Sequence, residues 1–205
     1  IIDNDPYIDG VSIDHDGIAD GFDYDEIIIL CIGSDRATGD CLGPLCGYKL
    51  EGFDKIFDLN FKGTLIPTMV YSTDMVKNKT GVIINISSMN SYRPLTKIAA
   101  YSAAKSAVNN FTQWLAVHLA LTGVRVNAIA PGFFASNQNR ELLFNKDGTP
   151  TSRTHKILEA TPQKRLGEIS DLIGTLLWLS CDEASGFVTG SIIAVDGGFA
   201  AYSGV

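Results

Sequence analysis

Residues 81–105 read GVIINISSMNSYRPLTKIAAYSAAK, and this stretch decides the fold. Its first six residues are almost wholly apolar and rich in Ile and Val, as in a strand that a parallel sheet buries on both faces. Two serines follow, and after a polar turn the chain enters a long segment whose apolar side chains have helical spacing. The stretch therefore predicts a buried strand, a loop that carries hydroxyl groups, and a helix over residues 99–121.

Similar units lie on both sides of this stretch. Residues 53–72 have helical spacing, residues 125–131 (RVNAIAP) predict a second buried strand, and a helix around 170–180 precedes a strand at 191–195. Strands that alternate with helices are typical of an α/β fold with a parallel sheet. Open sheets of this kind bind ligands at the carboxyl ends of their strands, which is where the two serines are expected.

Tyr101 and Lys105 are four residues apart in the predicted helix, so the phenol and the ammonium share one face. A nearby positive charge stabilises the phenolate, and Tyr101 can then exchange a proton with a substrate hydroxyl or carbonyl near neutral pH. Taken alone, this spacing occurs on many amphipathic helices. Ser88 makes the pattern specific, because its hydroxyl follows the predicted strand a short distance ahead of Tyr101.

Five motifs occur in a fixed order: Asp58-Leu-Asn60, Asn85-Ile-Ser-Ser88, Tyr101-Ser-Ala-Ala-Lys105, Arg125-Val-Asn-Ala-Ile-Ala-Pro-Gly132 and Val195-Asp-Gly-Gly198. On these motifs, residues 52–205 resemble the C-terminal portion of a short-chain dehydrogenase/reductase. Residues 87–94 (SSMNSYRP) and the Gln-Asn-Arg of 138–140 are most similar to the D-mannonate oxidoreductase (fructuronate reductase) branch. The resemblance implies an incomplete Rossmann-like, doubly wound parallel sheet with long flanking helices.

The resemblance also implies an oxidoreductase that transfers a hydride between NAD or NADP and a secondary alcohol or ketone, here a sugar acid such as mannonate or fructuronate. Tyr101 would be the general acid and base, and Ser88 would hold and polarise the substrate oxygen. Lys105 would lower the pKa of Tyr101 and bind the nicotinamide ribose. Asn60 would anchor the water relay through which the proton leaves, and residues 137–165 would form a mobile lid.

Further residues are assigned to cofactor and substrate by the same resemblance. Pro131 and Gly132 would pass beside the nicotinamide, where glycine allows a close approach, and Ser136 would contact the carboxamide. Arg93 and Arg140 are candidates to pair with a substrate carboxylate, because a guanidinium binds a carboxylate through two parallel hydrogen bonds. The alternative for each arginine is a solvated surface position.

The sequence ahead of Asn60 contains none of the segments that bind the rest of the cofactor in this family: a G-x-x-x-G-x-G turn, a selector residue after the second strand, and an Asn-Asn-Ala-Gly turn. We therefore expect an acidic Asp-rich repeat at 1–26, a strand-loop-helix of different origin at 27–51, and a dehydrogenase portion at 52–205. Two hypotheses remain open. The chain is an oxidoreductase, or it is a non-catalytic truncated or chimeric chain that lacks the dinucleotide-binding half.

Residues 25–50 contain the apolar run IIILCI at 27–32 and then GSDRATGDCLGP at 33–44. This string resembles one that is typical of sporulation proteins related to the spore germination protease. A cofactor loop is the weaker alternative, because Leu45 stands where the dinucleotide fingerprint needs another glycine.

The chain has 205 residues and a net charge of −7, but the charge is uneven. Residues 1–26 hold nine of the 23 acidic residues and no Lys or Arg, so the remainder is close to neutral. This balance argues against nucleic acid as a partner. No apolar run approaches the ~20 residues that span a bilayer. The expected partners are a small-molecule substrate and further copies of the chain, as a dimer or tetramer.

An 11-residue pattern repeats within the acidic segment. Asp14, Asp16, Asp20 and Asp25 have the spacing of ligands in a calcium loop, but Ala19 stands where that loop needs glycine. A solvated acidic linker is therefore the favoured alternative. The four cysteines fit no metal spacing, so no metal site is expected from them, and reduced thiols favour a cytoplasmic location.

Overall fold

The computed structural model describes residues 7–8, 11–12, 50–96, 98–136 and 139–204. The chain divides into two compact units, Ile1–Phe53 and Asp54–Val205. In the first unit, strands β1 (Tyr7–Ile8) and β2 (Val11–Ser12) form an antiparallel pair.

Several predictions from the sequence lie outside the described residues. These are most of the acidic repeat with its calcium-like aspartates, the strand at 27–32, the segment compared with sporulation proteins, and the cysteines Cys31, Cys41 and Cys46.

The second unit contains a parallel sheet of three strands, β3 (Gly81–Ile86), β4 (Val124–Pro131) and β5 (Ile192–Val195), in the order β3-β4-β5. Gly81 lies opposite Val124, and Pro131 lies opposite Val195. All three strands run in one direction, so their carboxyl ends lie at the same edge. The predicted parallel α/β sheet and its three strands in this part of the chain are therefore confirmed.

The helices are α1 (Leu50–Phe57), α2 (Gly63–Asn78), α3 (Ala99–Leu119), α4 (Arg140–Leu143), α5 (Ser152–Ala160), α6 (Ile169–Ser180) and α7 (Asp182–Ser185). The helices predicted near 99–121 and 170–180 are confirmed as α3 and α6. The helix predicted over 53–72 differs: a π-helical turn at Asp58–Lys62 divides it into α1 and α2, and it continues to Asn78. A π turn widens the helix locally, and the apolar spacing does not reveal it.

The core lies between the sheet and α3. Phe111, Leu115 and Leu119 of α3 are at least nine tenths buried and belong to one apolar cluster with Ile83 of β3 and Val126 of β4. Burying each such side chain stabilises the fold by about 1.5–3 kcal/mol. The residues of β4 from 124 to 130 are all buried, because this strand has a neighbour on both sides.

A polar cluster closes the amino end of β4. The guanidinium of Arg125, which is 9% exposed, donates to Leu179 O at 2.9 Å, to Val188 O at 3.3 Å and to the Asp182 carboxylate at 2.7 Å. One side chain thus ties the central strand to the end of α6, to α7 and to the loop ahead of β5. No helix in the described part of the chain is long and apolar enough to cross a membrane.

Candidate active site

The carboxyl end of β3 leads directly into the serine pair. Ser88 has extended backbone angles and begins a short 3₁₀ turn at Met89–Ser91, where its Oγ accepts a hydrogen bond from the Asn90 N–H at 3.2 Å. Only 6% of Ser88 is exposed. The hydroxyl therefore lies in a fixed position at the edge of the sheet where parallel α/β folds bind ligands.

Helix α3 brings Lys105 to this edge. The Lys105 ammonium donates to Ile86 O at 2.9 Å and lies 5.7 Å from the centre of the Tyr101 ring. Lys105 is 9% exposed, and this burial lowers the pKa of its ammonium from the ordinary value. The predicted pair thus shares one helix face, and Lys105 is anchored two residues ahead of Ser88.

Two buried oxygens beside these residues have no hydrogen-bond partner within the described part of the chain. They are Asn90 Oδ1, in the turn that Ser88 begins, and Ser102 Oγ, next to Tyr101. Both residues are 5% exposed. Buried polar atoms are nearly always paired, so these two oxygens are exceptional and leave hydrogen-bonding capacity unused next to Ser88 and Tyr101 in the chain.

Asn60 lies in the π turn between α1 and α2, where it is half-buried and its Nδ2 donates to Ile56 O at 2.9 Å. The adjacent Phe61 packs edge-on against Phe111 of α3, with ring centres 6.1 Å apart. The turn is thereby held against the helix that carries Tyr101 and Lys105. π-Helical turns of this kind are frequent at functional sites.

The end of β4 is shaped by the chain itself. A Cβ at Gly132 would lie 2.6 Å from the Cα of Asp196, and the Gly132 N–H donates to Val195 O at 2.9 Å. The sequence assigns Gly132 to a close approach by the cofactor, whereas the structure shows that the neighbouring segment after β5 already requires a glycine. Ser136 is exposed, and its N–H donates to Asn139 Oδ1 at 2.8 Å.

The two predicted carboxylate-binding arginines are both exposed. Arg93 follows the 3₁₀ turn, and its N–H donates to Met89 O. Arg140 begins α4, and its guanidinium lies 5.7 Å from the centre of the Phe144 ring. No contact in the described structure joins either side chain to Ser88, Tyr101 or Lys105.

A pocket of about 380 Å³ lies near the carboxyl ends of β4 and β5. Its lining includes Phe133, Phe134, Asp196 and the ion pair of Arg165 with Asp171. Arg165 binds both Asp171 oxygens, at 2.6 and 2.9 Å, and these bonds, together with the Glu168 N–H, lower the pKa of Asp171 to about 2. Among the described residues, no group of His, Cys, Asp and Glu is arranged to hold a metal.

A family model described as enoyl-(acyl carrier protein) reductase matches residues 16–200. The chain belongs to the short-chain dehydrogenase/reductase family. The match includes residues 25–50, and nothing in these comparisons supports the resemblance of that segment to sporulation proteins, which stays a prediction.

Relatives of this dehydrogenase family include a Bacillus subtilis protein called uncharacterized oxidoreductase UxuB, which is 57% identical over 155 residues. A Haemophilus influenza structure with bound NAD, provisionally named a D-mannonate oxidoreductase, matches 84% of this chain at 49% identity and a TM-score of 0.74. An Agrobacterium tumefaciens structure with bound NADP, provisionally named a 2-deoxy-D-gluconate 3-dehydrogenase, matches 76% of this chain at 32% identity and a TM-score of 0.69.

The chain spans only part of the length of each of these proteins. The chain covers 56% of the Bacillus relative and 61% of each of the two solved chains. The likeness confirms the Rossmann-like parallel sheet with flanking helices that the resemblance implies.

Two further residues at the carboxyl edge of the sheet were not predicted from the sequence. Asp196 follows β5 and accepts from the N–H groups of Gly198 and Ala200, so it orders the segment that packs on Gly132. Asn109 of α3 contacts both Ser87 and Ser91. The Val-Asp-Gly-Gly motif could have indicated Asp196, but no motif includes Asn109.

Proposed function

We propose that the protein is an NAD(P)-dependent oxidoreductase that interconverts a secondary alcohol and a ketone in a small sugar acid of the mannonate or fructuronate type. The observation that carries the proposal is the buried Lys105 ammonium, which bonds to Ile86 O, two residues ahead of Ser88, and lies over the Tyr101 ring. A cation buried at this edge has a chemical use, because it stabilises the negative charge that develops on an oxygen as a proton moves.

Tyr101 is the general acid and base in this proposal. During oxidation, the O–H bond of the substrate alcohol breaks, its proton passes to the Tyr101 oxygen, and the carbon–oxygen double bond forms as the hydride leaves the same carbon. During reduction, the phenol returns the proton to the carbonyl oxygen. A positioned acid and base of this kind contributes about 10²–10⁴-fold in rate.

Ser88 holds the oxygen that reacts. Its Oγ already accepts from the Asn90 N–H, and no described residue accepts its proton. The hydroxyl is therefore able to donate to the substrate oxygen, on which negative charge develops as the proton moves. A donor that is fixed before the reaction stabilises this charge without reorganisation.

The described residues fit the nicotinamide end of the cofactor. After its bond to Ile86 O, Lys105 retains N–H donors for the ribose hydroxyls, and the unpaired oxygens belong to Asn90, in the turn after Ser88, and to Ser102, next to Tyr101 in the chain. Tyr101, Lys105, Pro131, Gly132 and Ser136 would hold this end. NAD(P) supplies the acceptor or donor of the hydride when it is bound. The structures with bound NAD and NADP support either form.

The proton then leaves along α1 and α2. The π turn opens the helix at Asn60 and is packed against α3 through Phe61 and Phe111. We propose that Asn60 anchors a water relay there, through which the proton that Tyr101 has accepted passes to solvent.

For the substrate carboxylate we propose Arg140, with Arg93 as the second candidate. Both guanidinium groups lie at the surface, close in sequence to residues of the site. If Arg140 pairs with the carboxylate, Arg140→Ala raises the KM for fructuronate roughly 10–100-fold, as expected for a lost charged hydrogen bond. Lys77→Ala, which removes an exposed positive charge from α2, is the matched control. An unchanged KM in Arg140→Ala would exclude this residue.

The same proposal includes a homo-oligomer in the cytoplasm. Ile66, Met69, Val70 and Tyr71 of α2 are 57–69% exposed, and Trp114 and Val117 of α3 are 56% and 80% exposed. Exposed apolar patches of this kind are typical of association surfaces. Light scattering of the purified protein distinguishes a dimer or tetramer from a monomer.

The domain division also stays a proposal: an acidic segment at 1–26, a strand-loop-helix at 27–51 and the dehydrogenase portion at 52–205. The boundary between the two compact units, at Phe53 and Asp54, supports a dehydrogenase portion that begins near residue 52, whereas the family match over residues 16–200 extends ahead of it.

The deciding experiment combines cofactor binding with turnover. Titration of NADH and NADPH fluorescence with the purified protein is expected to show binding in the micromolar range, and fructuronate is expected to oxidise the bound cofactor. The sequence ahead of Asn60 lacks the glycine-rich turn, which favours the alternative of a non-catalytic chain. Absence of binding for both cofactors would support that alternative and overturn the proposal.

A single substitution then tests the chemistry. Tyr101→Phe removes only the oxygen that exchanges the proton, so kcat should fall about 10²–10⁴-fold while cofactor binding is retained. Tyr71→Phe changes an exposed tyrosine of α2 in the same way and should leave kcat unchanged. Equal activity of the two variants would remove Tyr101 from the mechanism.

A further inference from the structure

We propose that Asn109 is a positioning residue. It fixes the serine loop, residues 87–91, against the helix that carries Tyr101 and Lys105. The inference rests on the function proposed for this site and adds a residue that no motif includes. Asn109 lies one helical turn beyond Lys105 and two turns beyond Tyr101, so the three side chains follow one face of α3.

A chain of hydrogen bonds runs from Asn109 to Ser88. The Ser87 hydroxyl donates to Asn109 Oδ1, and Asn109 Nδ2 donates to Ser91 Oγ at 2.8 Å. The Ser91 hydroxyl in turn donates to Ser88 O at 2.5 Å. The Asn109 carboxamide thus bonds to Ser87 and to Ser91, at the two ends of the serine loop. The last bond of the chain ends on the backbone of Ser88.

The chemistry of these contacts suits an amide. Ser87 needs an acceptor and Ser91 needs a donor, and asparagine presents both on one short side chain. A leucine of similar size has neither. An aspartate lacks the donor, so the Ser91 hydroxyl would have to turn towards the carboxylate and release Ser88 O.

Neighbouring hydrogen bonds place the bonds of Asn109 within the candidate site. Lys105 bonds to Ile86 O, and the Ser106 hydroxyl lies 3.3 Å from Ser91 O. Ser87 is 2% exposed, so water does not easily replace its partner. Because catalysis depends on the distance between reacting groups, loosening the loop by about 1 Å is expected to lower the rate by up to ~10²-fold.

A second bond between the same elements serves as an internal control. Nδ2 of Asn85 in β3 donates to Thr112 Oγ1 of α3 at 2.9 Å, and both residues are buried. This bond joins the strand to the helix without reaching the serine loop. Thr112→Val should therefore lower stability and leave Ser88 in place.

The experiment compares Asn109→Leu, Ser91→Ala, the double variant, Thr112→Val and Asn110→Leu, the last at an exposed neighbour. Asn109→Leu and Ser91→Ala should each lower kcat roughly 10–100-fold with little change in the KM for cofactor. The double variant should be about as slow as the slower single variant, because both substitutions break one chain of bonds. Thr112→Val and Asn110→Leu should retain wild-type kcat.

A second readout does not depend on turnover. The Asn90 N–H donates to Ser88 Oγ, so its hydrogen exchange reports whether Ser88 is held in place. Exchange at Asn90 should accelerate roughly tenfold or more in Asn109→Leu and stay near the wild-type rate in Thr112→Val.

The outcomes separate this inference from the proposed function. If the wild-type protein neither binds cofactor nor turns over substrate, the proposed function fails, and Asn90 exchange still decides whether Asn109 positions Ser88. If Asn109→Leu lowers the melting temperature as Thr112→Val does, but leaves kcat and Asn90 exchange unchanged, Asn109 is structural only and the inference is overturned.

Discussion

Strand β4 has a buried polar cluster at its amino end, the neighbouring strand β3 has one at its carboxyl end, and the two clusters differ in how their hydrogen bonds are used. At the amino end, Arg125 donates to two backbone carbonyls and to Asp182. At the carboxyl end, Ile86 O is the one acceptor that the described residues provide for Lys105, and the oxygens of Asn90 and Ser102 have no described partner.

This difference distinguishes a cluster that stabilises the fold from one that is able to bind a ligand. A side chain whose donors are matched to backbone acceptors is fixed, and it stabilises the fold in one conformation. A buried ammonium with donors to spare, beside a phenol and a serine, reduces stability unless something else binds there. The carboxyl end therefore has the properties of a site, and the amino end those of a clamp.

The largest effect is expected when the buried cation is removed. Lys105→Met should lower kcat by about 10²–10⁴-fold, because the positive charge beside Tyr101, the proposed acid and base, is lost. Lys77→Met, at an exposed lysine of α2, is the control. A variant with wild-type kcat would break the distinction between the two ends.

Substitutions in the cluster at the amino end of β4 should change the stability of the fold. Arg125→Ala removes the donors to Leu179 O and Val188 O and should lower the free energy of unfolding by about 2–4 kcal/mol. Asp182→Asn tests the exposed partner, whose side chain is 67% exposed, and should lower it by less than about 1 kcal/mol. Urea unfolding measures both. If the two losses are equal, the ion pair rather than the carbonyl clamp holds this end.

A smaller change in stability is expected at the carboxyl end of β4. Gly132→Ala places a Cβ within 2.6 Å of the Asp196 backbone and should destabilise the fold by about 1–3 kcal/mol. Gly174→Ala is the matched control, because Gly174 is in helix α6 and no atom of the described residues lies within 4 Å of its added Cβ. It should stabilise the fold by about 0.5–1 kcal/mol. Equal stability of the two variants would show that the segment after β5 can move away from Gly132.

The smallest effect concerns the exposed pair in the pocket. The folded-state pKa of Asp171 is lowered from 3.8 to about 2, so the pair stabilises the fold above pH 3.8, and this contribution disappears as the pH falls towards 2. Asp171→Asn should therefore lower the melting temperature slightly at pH 7 and match the wild type near pH 2. Glu141→Gln removes an exposed charge outside any described ion pair and should show no such convergence.

Much of the second unit was predictable from local pattern. The apolar runs of β3 and β4 and the spacing of Phe111, Leu115 and Leu119 arise from burial, and burial leaves a periodic trace in the sequence. The π turn at Asn60 was not predictable, because it alters backbone hydrogen bonds without altering that spacing.

The site was predictable only where a motif joins residues close in sequence. Tyr101 and Lys105 share a helix, so their spacing alone places them on one face. Asn109 meets Ser87 across a gap of 22 residues, and Gly132 meets Asp196 only after α4 to α7 have returned the chain to the sheet. Such contacts depend on how elements pack, which no local pattern records.

The sequence by itself determined that this chain forms a parallel α/β sheet with a tyrosine and a lysine on one helix face after a strand that ends in serines. Only the tertiary structure decided which buried polar groups have all their hydrogen bonds made and which still have donors or acceptors without a partner. Arg125 and Lys105 are both buried cations beside the same strands, and in the sequence they carry the same charge. The carbonyls that packing places around each one decide the difference, because a buried donor is fixed by the acceptors within its reach.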